Sequence, residues 1–262
     1  MGNKKRIYDA LFELYGNYII TDSYVKKWVT TVYETLEIHD NGFDTLRVLE
    51  LAAGTGRFAE RFVSMFQERI EEYVATDISY GMLHYTYNAE KKKLFSRIVC
   101  DMRDLPIKTK YNVIISNFDS INYLVTEQDL KKCFQQVKLS LSDNGVFVFD
   151  YALIEVGNSY AVGNSGRAME SRNFKVLQES EFDTETRTIK NTFFFTDKMG
   201  RESDFYEEHI ESFFTISEIK RFLHESGLKA IKVYNFIPHL GHNSHRAGAE
   251  TDQRVQFVVT HS

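Results

Sequence analysis

The stretch "RVLELAAGTGRFAERF", Arg47 to Phe62, constrains this chain more than any other part of it. A short apolar run ends in a glycine-containing turn, and apolar residues at helical spacing follow. That order predicts a buried strand, a tight turn and a helix whose N-terminus faces the turn. Units of this kind build parallel α/β sheets, whose ligands sit at the carboxyl ends of the strands. The alternation then repeats. "EEYVATDIS", "FSRIVCDMRDLP", "YNVIISNFDSINYL" and "VFVFDYAL" read as strands, while "YGMLHYTYNAEKKK" and "TEQDLKKCFQQVKLSLS" read as helices. The expected class is α/β, with a Rossmann-like doubly wound sheet.

Two flanking regions differ. Residues 4 to 38 carry helical spacing in Ile7, Leu11, Leu14, Val25, Trp28, Val29, Val32 and Leu36. From about 170 to 214 the period changes to 2, with turns at Asp183-Thr184 and Met199-Gly200. This predicts antiparallel strands forming a lid over the ligand cleft. "ISEIKRFLHESGLKA" is a helix ended by Gly227, and "IKVYNF" and "RVQFVVTH" close the chain as strands. The organisation expected is a helical cap over 1–44, a ligand-binding core over 45–152, a β lid over 153–214, and a closing helix with two core strands over 215–262.

Composition narrows the function classes. The chain has 262 residues, 43% hydrophobic and 26% charged, enough for one well-buried core. No apolar run approaches the roughly 20 residues of a spanning helix, so no membrane role is expected. A net charge of -5 and a pI of about 5.9 argue against a broad nucleic-acid footprint. Cys100 and Cys133 have no CxxC partner, which fits packing in a reducing, cytoplasmic setting. His239, His242 and His245 share one loop without a cysteine or carboxylate in a metal-ligand arrangement, so no metal is expected. The expected partner is a small molecule. An exposed lid edge would offer a route to a homodimer.

"GTGRFA", Gly54 to Ala59, fits the dinucleotide pattern, so an NAD-dependent oxidoreductase is one reading. Three carboxylates favour another. Glu50 precedes the glycines, Asp77 ends the second strand and Asp101 ends the third. A carboxylate beside the turn repels a pyrophosphate and attracts an ammonium group. S-adenosylmethionine carries an ammonium and a sulfonium and no phosphate. Asp77 is placed to accept from two ribose hydroxyls, and Asp101, followed by apolar Met102, from the adenine amine. Gly54 and Gly56 let the backbone approach the ligand.

"VLELAAGTG", "ATDIS", "CDMRDLP", "VIISNFDSINYL" and "DNGVFVFDY" stand in the order seen in class I S-adenosylmethionine-dependent methyltransferases, which the chain resembles most strongly over 45–152. The resemblance implies a seven-stranded sheet whose last strand is antiparallel, with Ala52 at the first glycine position of the turn. It also implies Ile78 and Met82 as cofactor neighbours of Asp77. "IYDALFELYGNYIITDSYVKKW" resembles the helical cap of small-molecule members, where an early tyrosine and a tryptophan close over the cofactor; here these are Tyr8 and Trp28. "NFDSINYL" resembles the fourth motif, in which Asn117 approaches the methionine end of the cofactor. The lid strands resemble the substrate cover of sugar N,N-dimethyltransferases, some of which carry histidine where this chain has Tyr123.

In the lid, His209, Glu207 and Glu211 fall on one face of a strand. That face either lines the substrate pocket, holding a cationic amine, or is the wet side of the sheet. The function expected is methyl transfer to a small acceptor, with amines preferred over hydroxyls and Tyr123 or His209 as base. Tyr8, Trp28 and Met102 have packing alternatives, and Asn117 one as a backbone partner.

Overall fold

The computed structural model describes residues 3–4, 7–14, 22–39, 42–85, 95–157, 159, 166–237, 242–250 and 252–262. The core sheet contains β2 (Leu46–Leu51), β3 (Ile70–Asp77), β4 (Ser96–Val99), β5 (Tyr111–Ser116), β6 (Leu141–Ala152), β11 (Leu228–Ile237), β12 (His242–Ala247) and β13 (Arg254–His261). Their spatial order is β12-β11-β13-β6-β5-β2-β3-β4. The strands from β4 across to β6 are parallel, and β13 runs antiparallel to both β6 and β11. Seven of these strands make the sheet the sequence leads one to expect. The eighth, β12, pairs antiparallel with β11 at the edge. It carries His242 and His245, of whose side chains nothing is described, and His239 lies outside the described residues.

Both faces of the sheet are covered, so its strands are apolar nearly throughout. In β2 every residue but Arg47 is buried. The helix α3 (Arg57–Phe66) buries Phe58, Ala59, Phe62 and Val63, an apolar stripe at helical spacing. The helix α5 (Glu127–Ser140) starts at Thr126, whose Oγ1 accepts from Asp129 N at 3.1 Å. A third helix, α6 (Ile216–Glu225), opens with a capping box between Thr215 and Glu218 and stops before Gly227, at φ 76°. After β3 the helix α4 is short, Tyr80–His84, and Tyr85 is already extended. The rest of the longer helix expected there, including Lys91, lies outside the described residues.

The lid is a second sheet of five strands, ordered β1-β10-β9-β8-β7. Its antiparallel strands are β7 (Arg167–Glu170), β8 (Phe174–Asp183), β9 (Thr188–Asp197) and β10 (Glu202–Ser212), and β1 is Asn3–Lys4. The inner face is partly apolar, through Val176, Ile189, Phe193 and Phe195, and partly polar, through Gln178, Ser180, Asn191, Glu207 and His209, all buried. Gln178 Nε2 donates to Asn191 Oδ1 at 3.1 Å, and Ser180 Oγ donates to the same oxygen at 2.6 Å. Period 2 was legible; a buried polar inner face is what a sheet covering a polar ligand requires.

The N-terminal region departs from the helical cap expected over 1–44. Asn3–Lys4 add to the lid as a strand parallel to Phe205–Tyr206, covering part of the β10 edge. Among the described residues of the first fourteen, only α1 (Phe12–Leu14) is α-helical. Tyr8 has φ 61°, in the left-handed region. The reason is Glu207, whose carboxylate accepts from the backbone N–H of Tyr8 at 3.0 Å, of Ala10, and of Leu11 at 3.3 Å. These donors need no helical carbonyl because a buried carboxylate satisfies them. The long cap helix is α2 (Asp22–His39), which buries Val25, Trp28, Val29, Val32 and Leu36 against the core.

Candidate active site

The carboxyl ends of β2, β3, β4 and β5 gather the residues singled out from the sequence. The turn after β2 is left-handed at Ala52 (φ 53°), Gly54 (φ 57°) and Gly56 (φ 75°). Alanine tolerates this conformation at a cost; the two glycines adopt it freely. A Cβ on Gly54 would meet little, Met82 Cε at 3.9 Å being its nearest neighbour, whereas one on Gly56 would press on the Phe95 ring at 3.0 Å. Asp77 ties the turn to the next strand: Oδ2 accepts from Gly54 N at 2.7 Å and Oδ1 from Ser79 N at 2.8 Å. Each oxygen keeps a lone pair for a further donor. Burial raises the Asp77 pKa, partly opposed by those backbone bonds. Ile78 beside it is exposed, and Met82 is buried at the start of α4.

Glu50 is 2% exposed and accepts from Tyr73 OH at 2.8 Å. Loss of solvent pushes its pKa up to about 8 despite the Tyr73 bond, and Asp77 adds repulsion. The group is a buried carboxylate that has no positive partner among the described residues. Asp101 and Asn117 sit differently from the simple expectation. Asp101 is bound by Arg103, whose Nε and second guanidinium nitrogen donate to it at 3.0 and 2.6 Å, and Arg103 also reaches Asp129 at 2.8 Å. Desolvation raises the Asp101 pKa, but the Arg103 bonds outweigh it and leave the group below its usual value. Met102 packs against the core cluster that includes Leu105 and Phe134. Asn117 is 2% exposed; Oδ1 accepts from Trp28 Nε1 at 3.0 Å and Nδ2 has no hydrogen-bond partner among the described residues. Trp28 itself is fully buried and packs on Phe118, with ring centroids 4.1 Å apart.

These residues fit S-adenosylmethionine. Glu50 wants a cation, the Gly54 surface is open to a close ligand, Asp77 has acceptor capacity, and Asn117 has an unused buried donor. Four further side chains form a hydrogen-bonded chain: Tyr8 from the N-terminal turn, Tyr123 from the turn after β5, and His209 and Glu207 from β10 of the lid. Tyr8 OH lies 2.6 Å from Tyr123 OH, which lies 3.0 Å from His209 Nδ1, and His209 Nε2 lies 3.2 Å from Glu207 Oε2. Glu207 is fully buried and His209 is 1% exposed. Glu207 accepts on both oxygens, so Nε2 carries the imidazole proton and Nδ1 accepts from Tyr123. The rings of Tyr8 and Phe193 stand edge-on to His209 at 4.5 and 5.0 Å, which fixes the imidazole plane.

Residues 48–145 match the methyltransferase domain family. The chain carries a methyltransferase domain. YqeM of Bacillus subtilis strain 168, a protein named as a methyltransferase, is 24% identical over 193 residues, which are 71% of this chain and 75% of that one. The solved S-adenosylmethionine-dependent methyltransferase of Clostridium acetobutylicum ATCC 824 superposes with a TM-score of 0.75 at 23% identity, covering 96% of each chain. CalS10 of Micromonospora echinaspora, an amino pentose methyltransferase solved with S-adenosylmethionine bound, superposes with a TM-score of 0.64 at 16% identity, covering 100% of this chain and 99% of that one. The domain match favours S-adenosylmethionine over the NAD reading of "GTGRFA". No helix among the described residues is long and apolar enough to cross a membrane.

Several partners in this site had no sequence signal of their own: Tyr73 to Glu50, Arg103 to Asp101, and Glu207 as the anchor of both His209 and the N-terminal turn. Only Glu207 was approachable, through its two-residue spacing from His209.

A first prediction concerns Glu50. Its stabilising contribution in the ligand-free protein is full below about 4.5 and declines as pH rises through about 8, because its folded pKa is raised. An ammonium brought to it favours the ionised form, so binding S-adenosylmethionine near pH 7 is expected to release close to one proton. Calorimetry in buffers of different ionisation enthalpy reads this directly. The release should fade as the pH passes about 8, and a Glu50→Gln variant should show none.

Proposed function

We propose that the methyltransferase transfers its methyl group to an amine of a small molecule, with Tyr123 and His209 handling the acceptor proton. The supporting observation is the Tyr8–Tyr123–His209–Glu207 chain, anchored by the buried His209 and Glu207 on the inner face of the lid. We further assign Glu50, the Ala52–Gly56 turn, Asp77, Ile78, Met82, Asp101, Met102 and Asn117 to cofactor binding, with Tyr8 and Trp28 closing over it. When bound, S-adenosylmethionine supplies an electrophilic methyl group on a sulfonium, which is already a good leaving group.

The residues then have mostly positioning to do. An amine must be neutral to act as a nucleophile. Tyr123 O is placed to accept a proton from the acceptor nitrogen while its own proton moves to His209 Nδ1. Glu207 stabilises the imidazolium that forms and holds its tautomer. The N-terminal turn, fixed to the lid through Glu207, keeps water from this path. Inner-face acidity favours amines over hydroxyls, since Glu207 and Glu211 lie on the same strand face as His209. The amino pentose specificity of CalS10 lends the same support.

The experiment is transfer of labelled methyl groups to matched pairs of amino and hydroxyl compounds, amino sugars included. Labelling of amines and not of their hydroxyl partners is expected. Labelling confined to the hydroxyl compounds would replace the reading with O-methylation.

A further inference from the structure

The amide of Asn117 is bound at one end only. Oδ1 accepts from Trp28 Nε1 at 3.0 Å, while Nδ2, buried with the rest of the side chain, has no partner among the described residues. An indole nitrogen can only donate, so the amide atom that faces it is the oxygen. Trp28 thereby sets the polarity of the amide: what Asn117 offers a ligand is a donor. A buried N–H without an acceptor is costly, and a ligand oxygen placed on it removes that cost.

Glu50 has the opposite need close by. It lies opposite Ile115 across the β2–β5 pair, and Asn117 follows Ile115 by two residues. Period 2 keeps Ile115 and Asn117 on one face. The partners of the two site residues, Tyr73 and Trp28, belong to one apolar cluster that also contains Ile115. Glu50 and Asn117 are thus roughly 7 Å apart along neighbouring strands of the same face. A buried acid without a cation stands beside a buried donor without an acceptor. In an α-amino acid the ammonium and the carboxylate share one carbon, so this pair of needs matches the methionine end of S-adenosylmethionine.

Arg254, on β13, stands behind the amide. It reaches Asp119 at 2.8 Å and also Asp150, whose Oδ2 accepts in addition from Asp119 N at 2.9 Å. These bonds fix the turn directly after Asn117, where Phe118 and Asp119 have φ of 61° and 53°. Non-glycine residues keep such values where surrounding structure over-determines them. The same guanidinium lies over the Trp28 ring, 5.5 Å from its centroid, and Phe118 packs on that ring at 4.1 Å. Arg254 therefore bears on Asn117 twice, through the chain at Asp119 and through the indole.

We propose that Asn117 Nδ2 donates to the carboxylate of the cofactor's amino-acid end, beside Glu50, and that Trp28 and Arg254 are the positioning residues that hold the amide in this sense. Trp28 has no exposed surface and Arg254 is occupied by two acids, so both serve the site through Asn117. This role rests on the assignment of the site to S-adenosylmethionine and adds which atom reads the carboxylate and what orients it.

The test compares S-adenosylmethionine with decarboxylated S-adenosylmethionine, which keeps the adenosyl, sulfonium and ammonium groups and lacks the carboxylate. Titration calorimetry of the full chain is expected to show a preference of about 10- to 100-fold for the carboxylate ligand, the range of a hydrogen bond to a charged group. Trp28→Phe keeps a ring and frees the amide to turn. Arg254→Lys keeps the charge and loses the planar fork that bridges two acids. Each should reduce the preference to within about threefold while the decarboxylated ligand binds within about threefold of its wild-type affinity. A variant that weakens both ligands equally, or that keeps the wild-type preference, would overturn the proposal. A wild-type measurement decides the matter if a variant does not fold. The chain has one tryptophan, so nitrogen-15 labelled protein gives one indole N–H resonance. S-adenosylmethionine and S-adenosylhomocysteine should move it downfield, because a carboxylate on Nδ2 strengthens the bond that Oδ1 accepts. Decarboxylated S-adenosylmethionine should move it far less; equal shifts with all three ligands, or none with any, would overturn the proposal. Binding of S-adenosylmethionine without a carboxylate preference removes the amide assignment alone. No binding of S-adenosylmethionine removes the cofactor reading and the amide assignment together.

Discussion

Asp77→Ala is expected to weaken S-adenosylmethionine binding by about 100-fold, close to 2.7 kcal/mol. In the proposed cofactor site the carboxylate takes two ribose hydroxyls, and hydrogen bonds to a charged group contribute about 1.5–3 kcal/mol each. It also shapes the protein side of the site, since its two oxygens hold Gly54 N and Ser79 N. Removing it frees the left-handed glycine turn from β3, so part of the loss is preorganisation. Asp77→Asn separates the two contributions. An amide oxygen can keep one backbone bond but cannot accept on both sides, so an intermediate loss of about tenfold is expected. Titration calorimetry with S-adenosylmethionine, S-adenosylhomocysteine and NAD gives the comparison. Binding of the adenosyl ligands by Asp77→Ala within threefold of wild type would place the ribose elsewhere.

The same residue shows what the amino-acid sequence makes legible. Strand ends line the cleft of an open α/β sheet, so a carboxylate at the end of an apolar run has a known address. That rule places Glu50, Asp77 and Asp101 at strand ends, and period 2 marks β8, β9 and β10. Local pattern could not supply the partners. Asp101 is held by Arg103, two residues on, in a stretch that reads only as an exit loop. Arg254 closes on Asp150 and Asp119 across 104 and 135 positions of sequence, and nothing near any of the three announces the pairing. The N-terminal departure has the same origin. Ile7, Leu11 and Leu14 do carry a helical period, and Leu11 and Leu14 are buried as it requires. Yet the open edge at Phe205–Tyr206 and the Glu207 carboxylate offer the backbone bonds that a helix would otherwise supply. Propensity loses where tertiary structure provides better partners.

Tyr123→Phe is expected to lower kcat for the amine acceptor by about 10²–10³, the range of a lost general acid or base. The substitution keeps the ring and its edge contact with His209, at 5.8 Å between centroids. Only the hydroxyl between Tyr8 and His209 Nδ1 disappears. Cofactor affinity should therefore change by less than about threefold, while stability falls by roughly 1 kcal/mol because a buried imidazole nitrogen loses its donor. His209→Asn should cost about as much in kcat, since it removes the proton's destination and leaves Glu207 facing an amide. Tyr8→Phe should cost less, because Tyr123 keeps its bond to His209. The pH profile separates a proton path from a packing role. In Tyr123→Phe residual activity would depend on acceptor molecules that arrive already neutral, so its rise with pH should be steeper than the wild type's. If Tyr123→Phe kept kcat within threefold and the same pH dependence, the hydroxyl would be a structural strut. Acceleration would then rest on holding the amine and the methyl carbon in near-attack geometry.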